Sequence, residues 1–343
     1  MATTFKTLVL DKDIAITRTL LNEAIPLTGS IVSGTYADNN IKNYAHGMFQ
    51  SVYDYPYLSS SANHIFDLTV GYSIENSGSY TQNAKKMNIY NQMAQVLVGY
   101  DENGNIRKFD RDGSFADTTD ALNECVFINF SRLLGKDELK KESFVISFAD
   151  GGTPVAPDFT SLKTISDYGA QTDYRTNSPA GDYGILYTGS APHATGSGVG
   201  LLYYQAGIAV LTASVFSGEF GAPDATYDTA SVDAVLTGSE ISSSCDGIRN
   251  RWYDCDFNNT TELNSSIYFC RAATNEFNYS SNPTYLSESQ IRVKEKSTDT
   301  PTAYITTIGL YSDDNELLAV AKVSEPLKKD PTNELTLRVR LDY

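Results

Sequence analysis

Two acidic stretches are the first places where this sequence could do chemistry. Asp101-x-Asn103-Gly104-Asn105 and Asp110-x-Asp112-Gly113-Ser114 place oxygen donors at alternate positions, as a calcium-binding loop does. An EF-hand loop also needs a glycine at position six and a bidentate Glu at position twelve, between two helices. Both stretches carry the glycine at position four, so they read as polar turns. Gly196-Ser-Gly-Val-Gly200 lacks the G-x-G-x-x-G spacing and precedes a strand pattern, so it is no dinucleotide fingerprint. No G-x-S-x-G elbow, H-E-x-x-H pair or P-loop lysine occurs. His46, His64 and His193 are distant from one another, and Cys245, Cys255 and Cys270 show no C-x-x-C spacing. The 42 acidic residues always supply carboxylate pairs, but glycoside hydrolysis depends on their separation in space. The expectation is a protein that is not an enzyme and that takes no cofactor, metal or small-molecule substrate.

Aromatic residues are the second candidate. The run Tyr53-Asp-Tyr-Pro-Tyr57 could stack on a sugar or a partner protein; a proline-stiffened loop over its own core is the other reading. It lies in Leu27 to Ser61, a glycine-containing segment with neither period 2 nor period 3.6. Long stretches of that kind inside a domain usually serve function or contact another chain. A lone monomer would leave their apolar groups in water, whereas a subunit buries them against a neighbour. The candidate interface residues are Tyr36, Tyr44, Met48, Phe49, Tyr53, Tyr55 and Tyr57. This segment, with part of Asp150 to Ser197, is expected to make protein–protein contacts and to be mobile in the isolated chain.

Composition sets the class. Length is 343 residues, 41% of them apolar and 20% charged, which gives a globular protein of one large or two medium domains. Its 23 tyrosines, with Val, Ile and Thr, favour strands. A net charge of −16 without a Lys/Arg run argues against nucleic-acid binding. No basic-then-apolar leader opens the sequence, so Asn258, Asn259, Asn264 and Asn278 read as loop residues rather than glycosylation sites. The four cysteines are expected as free thiols of a reducing cytosol. The apolar run Val199 to Phe216 contains polar residues and lacks flanking Lys/Arg. It reads as two buried strands bent at Gln205-Ala-Gly207 rather than a membrane span.

Periodicity then places the elements. A helix is expected after Asp11-Lys-Asp13, with Ile14, Leu21, Ala24 and Ile25 on one face and Pro26 as its stop. A strand follows at His64 to Tyr72. The strongest helix spans Thr81 to Val98, burying Met87, Tyr90, Ala94 and Leu97 and exposing Lys85, Lys86 and Gln92. Asn103-Gly104 marks a hairpin. Strands are expected at Glu124 to Leu134, Ser143 to Phe148, Leu162 to Ile165 and Gly184 to Thr188, with a weak helix near Thr229 to Leu236. Four or five more fill Ser266 to Tyr343, including a hairpin turning at Ser312-Asp-Asp-Asn315. The last is expected to bury Leu335, Leu337, Val339 and Leu341 in a C-terminal meander. The fold class is β-rich α+β: antiparallel, sandwich-like sheets with two or three peripheral helices and long loops. Three regions follow: an N-terminal helix and partner-contacting arm (1–62), a β-rich core (63–265) and an antiparallel C-terminal meander (266–343). The last two could also be continuous.

Several stretches carry a resemblance. The C-terminal hairpin from Thr306 to Leu327 looks like a segment that recurs in tail-associated proteins of bacteriophages. With it, the stretches Thr19 to Gly29, Tyr44 to Tyr57, Asn83 to Val98 and Thr176 to Gly184 are similar to virion structural proteins of contractile-tailed bacteriophages, especially those of marine cyanobacteria. The similarity covers most of the chain, and no catalytic motif comes with it. It implies a structural part of the tail machinery, at the baseplate or neck, whose partners are other virion proteins and copies of itself. It also implies location in the virion after assembly in the host cytoplasm. A receptor-binding module of the tail and a tail-associated wall hydrolase are the alternatives.

Overall fold

In the computed structural model, the described residues are 5–26, 38–73, 84–115, 120–152, 157–188, 198–216, 241–280, 283–288, 290–292, 294, 296 and 298–343. Along the chain run helix α1 (Leu10–Asp13) and strands β1 (Ile14–Pro26), β2 (Ile41–Asn43), β3 (Gln50–Tyr53) and β4 (His64–Tyr72). Helix α2 (Ala84–Leu97) leads to β5 (Phe109–Asp110), β6 (Ala121–Leu122), β7 (Glu124–Phe130), α3 (Arg132–Gly135), β8 (Glu138–Leu139) and β9 (Val145–Ala149). Next come β10 (Leu162–Ser166), β11 (Tyr174–Arg175), β12 (Tyr183–Thr188), β13 (Gly200–Tyr203), β14 (Ile208–Thr212) and α4 (Ile241–Arg251). Strands β15 (Trp252–Ala272), β16 (Leu286–Ser287), β17 (Gln290–Ile291), β18 (Ala303–Tyr311), β19 (Leu317–Lys329) and β20 (Leu335–Asp342) complete it. Among the described residues, strands hold 47% against 15% in helices, and the large sheet does not close into a barrel, which makes the fold β-rich α+β.

The chain divides into two compact units, one of residues 21–261 and one of residues 1–20 with 262–343. In the first, antiparallel neighbours follow the order β2-β3-β4-β7-β14-β13-β12-β10-β9-β15. The sheet folds back on itself, because aromatic rings of strands distant in that order meet. Phe66 of β4 stacks on Trp252 of β15 with ring centroids 4.4 Å apart, and Phe130 of β7 packs edge-on against Phe257 at 5.2 Å. This two-layer core is why residues such as Leu68, Val70, Val126 and Ile128 are fully buried.

Helix α2 covers β4 by close approach to Gly71. A Cβ at that glycine would lie 2.7 Å from the Lys86 carbonyl oxygen and 2.9 Å from the Tyr90 nitrogen. Tyr90 buries its ring against Phe109 and Phe127 while its hydroxyl donates to the Leu122 carbonyl at 2.7 Å. The buried face is Lys86, Ile89, Tyr90, Ala94 and Leu97. Met87 is only half-buried, and Lys86, expected in solvent, is 1% exposed. Spacings of three and four from Tyr90 include Lys86 as readily as Met87, so charge alone misplaces it. Residues 81–83 and the helix expected near Thr229 to Leu236 lie outside the described residues.

Three other expectations change. Residues 14–26 form a strand, with only one helical turn before it. β1 lies beside β15 at the end of the sheet order, and its residues 16–23 are exposed. With neither face buried, no period-two pattern marks it. Residues 41–53, read as loop, supply β2 and β3, which seat Ile41 and Val52 in the core; residues 21–62 thus belong to the core unit rather than to a separate arm. Finally, β20 leaves the C-terminal hairpin and pairs with β15 over Ser265↔Asp342 to Ala272↔Leu335, while β18 and β19 form a two-stranded sheet of their own. Among the described residues, the C-terminal strands therefore do not run as one continuous meander. The alternation of β20 survives, but only Val339 is buried; Leu335, Leu337 and Leu341 are half-buried.

Candidate functional site

The aromatic residues singled out in the sequence gather on the strands β2, β3 and β4. Asp54 closes the loop after β3 by accepting from the Asn63 amide at 2.6 Å and from its side-chain nitrogen at 2.8 Å. That clasp sets Tyr57 and His64 beside Tyr53, with centroid distances of 6.3 Å and 5.5 Å. On the preceding turn, Tyr44 stacks on His46 at 5.2 Å and packs on Phe49 at 4.7 Å, with the Lys42 ammonium 4.8 Å from the Tyr44 ring centre.

A line of hydrogen bonds joins the two aromatic groups. Ser51 donates to Asp67 Oδ1 at 2.5 Å, and the same oxygen lies 2.8 Å from His64 Nε2. With its single proton committed to Asp67, Ser51 accepts from the Tyr44 hydroxyl at 3.2 Å. Tyr53 in turn bonds to Tyr44; burial first, then Tyr44 and Asp67, hold the Tyr53 phenol above its usual value. Serine, histidine and aspartate are thus together, but in the wrong order for nucleophilic catalysis. A triad needs histidine between the other two, whereas here the carboxylate lies between Ser51 and His64.

His64 also opens onto a groove of about 240 Å³ lined by Asn129, Arg132, Lys136, Tyr204, Gln205 and their neighbours. Arg132 is anchored to the Gln205 carbonyl at 2.9 Å. Tyr204 donates to the buried Asp167 carboxylate at 3.0 Å, and burial pushes Asp167 up to about 6 against the donors from Glu142, Tyr204 and Phe144. Tyr204 fits because Gly184 has no side chain: a Cβ there would overlap the phenol oxygen.

Of the predicted interface residues, Tyr44, Met48, Phe49, Tyr53 and Tyr57 are half-buried on their own chain and Tyr55 is 57% exposed. Tyr36 lies outside the described residues. The polar residues His64, Asp67, Asn129, Arg132 and Gln205 were missed. They come from β4, β7 and the turns beside β7 and β14, and no sequence spacing announces their meeting. The two acidic stretches are turns closed on themselves. Asp101 accepts from Asn103 and Asn105 amides, both at 2.8 Å, and Asp110 accepts from those of Asp112 and Ser114. Burial, followed by the Asp112 carboxyl, pushes Asp110 up to about 6.

No family model, curated protein or solved structure matches this chain. Among the described residues, no group of three or more His, Cys, Asp or Glu is placed to hold a metal ion, and no helix is long and apolar enough to cross a membrane.

The unit of residues 1–20 and 262–343 has a different character. Among the described residues, its buried apolar side chains are Ala272, Ala303, Leu310 and Val339, and none belongs to the main core cluster. Exposed instead are Phe5 (61%), Leu10 (66%), Ile16 (68%), Leu318 (68%) and Val320 (53%), with Tyr304 and Tyr311 about half exposed. Phe5 packs edge-on against Tyr311, so part of this apolar surface is continuous.

Proposed function

We propose that this chain is a non-enzymatic structural component of a contractile-tailed bacteriophage virion, placed in the tail machinery at the baseplate or neck. It works through contacts with other virion proteins and with copies of itself. The observation that carries the reading is the unit of residues 1–20 and 262–343, whose large apolar side chains remain in solvent. Isolated two-stranded hairpins are marginal in water, and soluble monomers rarely expose contiguous apolar patches of more than a few hundred Å². Subunits of an assembly bury such surfaces against neighbours. The resemblance of the C-terminal hairpin to tail-associated proteins, and of several other stretches to virion structural proteins, supports placing this chain in the virion. Mass spectrometry of purified particles, with antibody labelling of the tail, tests the proposal: the protein is expected in the particle at fixed stoichiometry, and its absence refutes the reading.

One observation favours receptor binding at the tail as a second reading. Tyr53, Tyr57 and His64 form a ring-lined shelf beside a groove bearing Asn129, Arg132 and Gln205, and sugars are recognised by ring faces next to planar polar groups. Binding of the purified chain to host cells, abolished by Tyr57→Ala, is its expected signature. A wall hydrolase would instead clear a peptidoglycan zymogram.

A further inference from the structure

The hairpin of β18 and β19 has two edges, and only one is defended. Strand β19 carries Lys322, Glu325, Lys328 and Lys329, and its Pro326 has no N–H to offer. Residues 323–326 interrupt its ladder, between the pairs Ile305↔Leu327 and Thr307↔Lys322. Charges, proline and bulges are the devices that keep an edge strand from pairing. Strand β18 reads Ala303-Tyr-Ile-Thr-Thr-Ile-Gly-Leu-Tyr311, with no Asp, Glu, Lys or Arg. Among the described residues, β19 is the one strand that pairs with it. Tyr304, Thr306, Thr307, Gly309 and Tyr311 are exposed along it.

We propose that the outer edge of β18 pairs antiparallel with β18 of a second copy of this chain, giving a four-stranded sheet with a two-fold axis at Thr307. This deepens the assembly reading and rests on it. Strand β18 itself carries no charge to oppose a second copy, whereas a basic partner would be drawn to the acidic surfaces elsewhere on a chain of net charge −16. Side-chain size argues the same way. Pairing about Thr307 sets Ala303 opposite Tyr311 and Ile305 opposite Gly309, large against small on one face, with Tyr304 opposite Leu310 on the other. A two-fold interface has to be self-complementary in this sense. Main-chain hydrogen bonds along the edge would supply the attraction, as in other strand additions.

Cysteine scanning of the full chain tests the pairing. Variants from Tyr304→Cys to Leu310→Cys are made in a Cys270→Ser background, where the remaining thiols are buried, and are oxidised mildly. In the proposed arrangement wild type runs as a dimer in light scattering, and disulfide-linked dimer peaks at Thr307→Cys and falls away on both sides. Thr307→Lys, at an exposed position, yields monomer with an unchanged circular dichroism spectrum. A monomeric wild type, uniform cross-linking across the scan, or a Thr307→Lys variant that stays dimeric overturns the pairing. Incorporation of the same proteins into particles is read separately. A wild type that is monomeric yet enters particles overturns the pairing while leaving assembly intact; a dimer absent from particles does the reverse.

Discussion

Replacing Lys86 by methionine separates the cost of a buried charge from the packing around it. Lys86 is 1% exposed on the inner face of α2. Burial lowers its pKa from 10.5 to about 8, with Cys245 acting in the opposite sense. Between those values the unfolded chain still holds the proton that the folded chain has released, so stability rises with pH. Below pH 8 both states are protonated and the cost is fully present; above pH 10.5 it is gone. Integrating from pH 7 to 9.5 gives a gain of about 2 kcal/mol from this one group. Buried Tyr203 and Cys245, whose pKa values are raised, titrate in the destabilising direction over the same range. The informative quantity is therefore the stability difference between wild type and Lys86→Met at each pH, from urea unfolding. Methionine keeps the length of the side chain without the charge. The difference is expected to move in favour of wild type by about 2 kcal/mol between pH 7 and 9.5. A difference constant within about 0.5 kcal/mol would show that the ammonium is solvated in the folded protein and refute the burial argument.

Gly184→Ala is expected to cost about 1–3 kcal/mol, because the Tyr204 phenol occupies the space of the new methyl group; an unchanged urea midpoint would contradict the close approach. Val339→Ala should destabilise more than Leu337→Ala despite removing fewer atoms, since Val339 is buried and Leu337 half-buried; thermal melts of the two variants decide the order. Native alkylation should label Cys270 first and reach Cys125, Cys245 and Cys255 only on unfolding, with all four thiols recovered in mass spectrometry. A disulfide-linked peptide of Cys245 and Cys255 would contradict the free-thiol geometry.

Elements with strong local signals were legible. Asn103-Gly104 turns the chain between bridged Tyr100 and Ile106, and Gly104 adopts φ +82°. Gln205-Ala-Gly207 turns β13 into β14, whose apolar residues read as buried. The losses share a cause. β1 has exposed residues on both faces, and Gln50, Ser51 and Val52 of β3 are all buried, so neither strand displays alternation. β20 does alternate, but alternation cannot name the strand that pairs with it. At the site, tyrosine content pointed to the aromatic residues, while Asp67 and His64 acquire their positions from pairing with β3 across a bulge between Val52 and Tyr53. Only tertiary structure creates that neighbourhood.

The division of the chain has a consequence for synthesis. Residues 21–261 form one compact unit, whereas the other needs residues 262–343 to join residues 1–20 already made. Translation adds roughly 5–20 residues per second, so the 21–261 segment has several seconds to fold before its companion is complete. The hairpin of β18 and β19 lies within that last segment. Nascent chains on one polysome would therefore carry folded cores before they carry the surface proposed to join copies, and the order of the sequence itself would delay association until each subunit is ready.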